Sequence, residues 1–220
     1  MKLQQKVHEY LLSLGYKQED LNAFDSSSVY IAEEIALYAH RGQKRANGED
    51  YVVHPYGVLQ NYRDFVGIVD GEYFCLDEDL LVGECGIPYS GVQEVCLLHD
   101  VLEDTDVTID EIEEFYKDMG LGAFFNLYIK NPLLLITHDE KDDYFVYIGK
   151  IMADPTASIV KFMDFANNMN PLTLDTFEEK EIKRIYEYAT YASILNSKWN
   201  FLANVKKYHE LRAEKKKGQN

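Results

Sequence analysis

Four short stretches of this sequence carry residue types that could together hold a metal ion. They are Ala39-His40-Arg41-Gly42-Gln43-Lys44-Arg45, Tyr51-Val52-Val53-His54-Pro55, the run 97–105 with His99, Asp100, Glu103 and Asp104, and the run 160–169 with Lys161, Asp164 and Asn168. Together they offer two or three imidazoles, an adjacent His-Asp pair, a Glu-Asp pair one helical turn later and a distant Asp. Such a mixture of nitrogen and oxygen donors suits a divalent metal that activates water against a phosphate ester.

The spacing restricts how this could work. Neighbouring helical residues point about 100° apart, so His99 and Asp100 can share an ion only beside a helix end or edge. Glu103 lies four residues after His99, and Asp104 four after Asp100, so each pair stacks on one face. A carboxylate one turn from a metal can take a proton from an activated water or protonate a leaving oxygen. The alternative is that these four polar residues only cap and solvate a helix end. Against it, Val95-Cys96-Leu97-Leu98 is an apolar run just upstream, and a buried His-Asp pair needs a partner. His54 stands before Pro55 at a helix start, where it can project into a cavity, although a lone histidine there is often structural. Asp164 lies among Ile159, Val160, Phe162, Met163 and Ala166, a costly place for an acid unless it is paired or ligated. These two are the natural remaining ligands. His8, His138 and His209 stand alone and read as surface residues.

The elements around these residues read as helices joined by short loops, an all-α chain. Val7, Leu11, Leu12 and Leu14 make an apolar face that Gly15 stops. Serines 26 to 28 can cap a helix with Ile31, Ile35, Tyr38 and Ala39 on one side. Pro55 suits the first turn of a helix bearing Val58, Leu59, Tyr62, Phe65 and Val66. Ser90-Gly91-Val92-Gln93 and Thr108-Ile109-Asp110-Glu111 read as capping boxes, the second opening a helix to about Asp118. Ile182, Ile185, Ala189, Ala192 and Leu195 mark a long helix, with Trp199 in the helix after it. Residues 67–89, with Gly67, Gly71, Gly83, Gly86 and Pro88, break the rhythm as a long loop insertion, either a binding loop or a surface insertion. Phe74-Cys75-Leu76 and Leu80-Leu81-Val82 could add a hairpin or a helical turn there. The lysine-rich end after Glu214 reads as a solvated, frayed tail.

Composition sets the outer limits. At 220 residues, 46% hydrophobic and 27% charged, the chain is long enough for one sizeable core and short for two domains. The expectation is one domain over 1–220 with its core at about 28–196. No apolar stretch suits a membrane span or a signal peptide, which places the chain in the cytoplasm. A net charge of −16, from 38 acidic and 22 basic side chains, argues against nucleic acid as a partner. A small anionic substrate needs only a local positive point, which a divalent cation supplies. Cys75, Cys85 and Cys96 form no Cys-x-x-Cys pair and suit reduced thiols, with a Cys75–Cys85 bridge the minor alternative.

Taken in order, the four stretches resemble the hydrolase domain of the RelA/SpoT family, within the HD-domain phosphohydrolases, from about Ile31 to Met169. Thr137 with the acidic, lysine-containing turn after it, and Tyr144, also fit. The resemblance implies an all-α HD-domain bundle that uses manganese to remove the 3′-pyrophosphate of ppGpp and pppGpp. It implies His54, His99, Asp100 and Asp164 as metal ligands, with Glu103 and Asp104 in acid/base and water-positioning roles. Arg45 would lie along the nucleotide base and Asn168 near the ribose, with Lys44 and Lys161 as further cations. His40 would orient its neighbours rather than bind metal. The length suits the small stand-alone hydrolases, with no room for a synthetase domain. Ala46 stands where the family often has a basic residue, Asn170 where it usually has an arginine, and 45 residues separate His54 from His99. The first two imply a pocket with less positive charge. Two other functions remain in view: hydrolysis of a different nucleotide or phosphorylated metabolite, and a non-catalytic nucleotide-binding module. The intact Glu103-Asp104 pair argues against the last.

Overall fold

The computed structural model describes residues 1–19, 21, 27–68, 77–139, 141–171 and 178–217. Among them every named element is helical, and the strand-like pairing is one isolated antiparallel bridge between Lys44 and Asp50. The helices are α1 (Leu3–Ser13), α2 (Ser28–Ala39), α3 (Val53–Val66), α4 (Asp79–Glu84, a π-helical turn), α5 (Val92–Leu98), α6 (Val101–Asp104) and α7 (Ile109–Asp118). Gly122–Phe124 and a π-helical Phe125–Ile129 then run into α8 (Lys130–Ile136). They are followed by α9 (Tyr144–Ile151), α10 (Pro155–Asn168), α11 (Glu179–Trp199) and α12 (Phe201–Lys217).

The centre is α5. Its sequence is apolar apart from Gln93 and Glu94, and all seven residues are buried. A helix without a polar face must be covered on every side, and α2, α3 and α10 pack around it. In turn, α10 lies against α3 and α11. It starts where Asp154 accepts the Ala157 amide at 2.8 Å, with Pro155 at its first position. The buried Ser158 hydroxyl donates to Ile151 O at 2.9 Å and accepts Trp199 Nε1 at 3.0 Å, tying α10 to α9 and α11. The helix α7 carries the expected Thr108–Glu111 capping box.

Several local expectations are corrected. In α1, Val7 and Leu11 are buried but Leu12 and Leu14 are exposed, and Leu3 completes the inner face. In α11, Ile182 and Ala189 are exposed. Ala192 and Leu195 are buried as expected, and Tyr188 and Tyr191 carry the rest of the packing, because the helix meets α10 through the stacked rings of Phe165 and Tyr188, 5.2 Å apart. Trp199 ends α11 rather than entering the next helix. Ser27, at the start of α2, makes no side-chain cap. Of the 67–89 insertion, Leu80 and Leu81 sit buried in a helical turn, and Asp77 pairs with Lys215 of α12, which is therefore not frayed there. Phe74-Cys75-Leu76 and Ser26 lie outside the described residues. Cys85 and Cys96 are buried free thiols. No described helix is long and apolar enough to cross a membrane.

The helix bearing the His-Asp pair is not opened by a Ser90 capping box. Gly91 takes the N-cap position with φ +79°, and a Cβ there would lie 2.5 Å from Tyr128 O. Left-handed backbone and close contact both require glycine. Gly91→Ala should therefore destabilise the fold by roughly 1–3 kcal/mol, read as a lower urea midpoint.

Candidate metal centre

The site forms where α5 stops. His99 caps the C-terminal end of α5 and Asp100 the N-terminal end of α6. This break between two short helices lets adjacent side chains turn to one place, which a continuous helix would forbid. His54 enters from the first turn of α3 and Asp164 from α10. Asp100 Oδ2 lies 3.1 Å from His99 Nε2 and 3.5 Å from His54 Nε2. Asp164 Oδ1 lies 3.0 Å from His54 Nε2 and 3.8 Å from His99 Nε2, and the two Nε2 atoms are 3.3 Å apart.

Each imidazole is fixed from behind. His99 Nδ1 donates to Cys96 O at 2.8 Å, and His54 Nδ1 donates to Asn167 Oδ1 at 2.8 Å. In the neutral rings both Nε2 lone pairs then face inward, toward two carboxylate oxygens. Four acceptors turned on one point need a positive charge between them, and a donor set of two nitrogens and two oxygens suits a divalent metal. Among the described residues, His54, His99 and Asp100 form the group whose donor atoms all lie within 4.8 Å of one another. Without a metal, protons answer the same demand. Burial pulls the His99 imidazolium down, but the Asp100 carboxylate outweighs it and leaves the pKa raised to about 9. Burial opposes ionisation of Asp100 and Asp164, yet His99 holds the first below the usual carboxylate range and Lys161 holds the second there.

Two residues expected to bind substrate are turned toward Asp164. Lys161 Nζ lies 2.8 Å from Asp164 Oδ2, and Asn168 Nδ2 donates to Asp164 Oδ1 at 2.6 Å. Lys44 pairs with Asp50 at 2.6 Å on the rim. Lys44, Arg45, Ala46, Lys161 and Asn168 all line one cleft of about 950 Å³ that opens onto the donor set. Glu103 and Asp104 are on its wall. Glu103 accepts the His138 amide at 3.0 Å, and burial raises its pKa. Asp104 Oδ2 accepts the Tyr51 hydroxyl at 2.9 Å. His40 is buried outside the donor set, with Nδ1 2.7 Å from Gln43 Oε1 and its ring 4.8 Å from that of Tyr51. Asn170 is exposed and does not line the cleft.

Some participants were not singled out by sequence. His138 was read as a surface residue, but it lines the cleft and packs 4.6 Å from the Tyr147 ring. His8 is likewise mostly buried, 3.6 Å from Glu34. Tyr147, Tyr188, Glu178, Lys180, Glu181 and Arg184 complete the cleft wall, with Lys180 3.5 Å from Glu181. Their signal was weak: tyrosines three apart at 144 and 147, and cations four apart at 180 and 184, are common helical patterns. Asn167 orients His54 and carried no signal beyond its neighbour Asn168. Gly57 leaves room for it, since a Cβ there would overlap Asn167 Nδ2.

This donor set in an all-helical fold resembles that of the HD-domain phosphohydrolases. No protein-family model matches the chain. It is 28% identical over 174 residues to the guanosine-3′,5′-bis(diphosphate) 3′-pyrophosphohydrolase of Aquifex aeolicus, covering 76% of this chain but only 22% of that one. It is 26% identical over 172 residues to the human guanosine-3′,5′-bis(diphosphate) 3′-pyrophosphohydrolase MESH1, covering 77% of this chain and 83% of that one. A solved structure described as a metazoan ortholog of SpoT that hydrolyzes ppGpp shares the fold, with TM-score 0.53 and 19% identity, over 84% of this chain and 96% of that one. The chain is homologous to the hydrolase domains of the SpoT/RelA proteins and to the small stand-alone MESH1 enzymes.

Two expectations follow. Gly57→Ala should displace Asn167 from His54 and weaken metal affinity about 10- to 100-fold, read by competition with a chelator, while the fold is kept. The second concerns pH. Because the His99 pKa is raised from 6.5 to about 9, its proton stabilises the metal-free fold fully below pH 6.5, and that contribution is lost as pH rises through about 9. The thermal midpoint of chelator-treated protein should fall across this window, and bound metal should flatten the fall.

Proposed function

We propose that this chain acts as one HD-type domain over 1–220 that hydrolyses the 3′-pyrophosphate of guanosine 3′,5′-bis(diphosphate), releasing GDP and pyrophosphate. His54, His99, Asp100 and Asp164 would hold a divalent metal, manganese by resemblance. The convergence of these donors with Glu103 and Asp104 in one cleft carries the reading. The relatives from Aquifex aeolicus and human, both named for this activity, support the substrate.

A divalent ion at this site supplies positive charge to phosphoryl oxygens and acidifies a water molecule. The rest falls to side chains. Arg45 offers a flat guanidinium to the base, and Lys44, Lys180 and Arg184 offer charge to phosphates around an otherwise acidic molecule. Asp104, linked to the donor set through Tyr51, accepts the proton of the attacking water. Glu103, whose burial favours its protonated form, gives a proton to ribose O3′ as the O3′–phosphorus bond breaks. One water is consumed and O3′ leaves as a hydroxyl. Ala46 on the cleft wall favours a second reading, a nucleotide or phosphorylated metabolite with fewer charges.

Manganese-loaded protein incubated with ppGpp should yield GDP and pyrophosphate, resolved by chromatography. Unchanged ppGpp from protein shown to hold metal would exclude the alarmone and favour the second reading. Glu103→Gln and Asp104→Asn should each keep the metal and lose ~10²–10⁴-fold in turnover. Arg45→Ala should raise KM, and substrate binding should weaken steeply with salt.

A further inference from the structure

Tyr51 touches both halves of the site. Its hydroxyl lies 2.8 Å from Asp100 Oδ2 and 2.9 Å from Asp104 Oδ2. The Asp100 oxygen is the same one that faces His99 and His54. A phenol has one proton, so it cannot satisfy two carboxylates independently. It bridges them across the one helical turn that separates the two acids.

The ring is held in place from three sides. It faces His40 at 4.8 Å, and His40 is fixed by Gln43. Gln43 Nε2 donates to Asp104 O at 2.9 Å, and the Tyr51 amide donates to Gln43 O at 3.0 Å. His40, Gln43, Asp104 and Tyr51 thus form a closed circuit. This fixes the hydroxyl relative to the backbone of the very residue whose side chain it meets. Tyr51 lies only three residues before His54, so the turn that ends in the Lys44–Asp50 bridge delivers hydroxyl and imidazole together.

We propose that the Tyr51 hydroxyl is a positioning group. It turns Asp100 Oδ2 toward the two imidazoles and keeps the Asp104 carboxylate beside it, so that metal ligand and acid/base group act on the same point. This rests on the reading of Asp100 as a ligand and Asp104 as an acid/base group.

Tyr51→Phe keeps the ring on His40 and removes only the hydroxyl; circular dichroism checks that the fold is unchanged. Manganese affinity, measured by chelator competition with no nucleotide present, should fall about 10- to 100-fold. With ppGpp and saturating manganese, kcat should fall while KM stays near the parent value. In an Asp104→Asn background the same substitution should cost no further kcat, because the group it positions is already lost. Parental manganese affinity in Tyr51→Phe, or losses in kcat that multiply in the double variant, would overturn the proposal. If the metal-loaded parent leaves ppGpp untouched, the proposed substrate fails and the manganese measurement alone decides the role of Tyr51.

Discussion

Two imidazole nitrogens and two carboxylate oxygens, turned on one another within a helical core, repel unless a positive charge lies between them. Most of the surrounding structure serves that constraint. Cys96 O and Asn167 Oδ1 fix the outer imidazole nitrogens, so the inner ones have nothing else to face. Lys161 and Asn168 balance Asp164 from behind, and Tyr51 does the same for Asp100. A buried polar network of this kind is stable only when every member has a partner, and a divalent cation held by these four donors is the partner proposed for its centre.

The core explains why the cluster holds its shape. Because α5 is buried on all sides, its end cannot move without disturbing α2, α3 and α10. His99 and Asp100 sit at that end, on a helical break rather than within a helix. Gly91 at one end of α5 and Gly57 on α3 mark where backbone and side chains approach most closely. Both are packing solutions, and Gly57 reaches the donor set through Asn167 and His54.

The strongly acidic surface and the cleft have opposite tasks. A chain of net charge −16 repels anions at long range, so an anionic substrate must be drawn by charges inside the cleft. Lys44, Arg45, Lys180 and Arg184 gather there from two distant parts of the chain, with the tyrosines 144, 147 and 188, Lys44 paired to Asp50 and Lys180 to Glu181. Lys161 contributes less to this than its charge suggests, since Asp164 already holds it. Ala46 lines the wall without adding charge to it, whereas Asn170 lies outside the cleft.

The donor cluster was legible in sequence because it resides in residue types at short spacings. His99-Asp100 with Glu103-Asp104, His54 before a proline, and Asp164 in an apolar run each carry a local conflict between burial and polarity. The all-α class followed from helical periodicity for the same reason. Faces and partners were not legible. Ile182 and Ala189 fit a helical stripe as well as Tyr188 and Tyr191 do, and only the position of Phe165 on α10 decides which side is buried. His138 is a lone histidine until α9 brings Tyr147 against it. Lys161 and Asn168 are a cation and an amide of open purpose until Asp164 is found beside them on the same helix face. Sequence determined which groups needed a partner. Tertiary structure decided which partner each received, because that choice depends on which helices meet and at what distance.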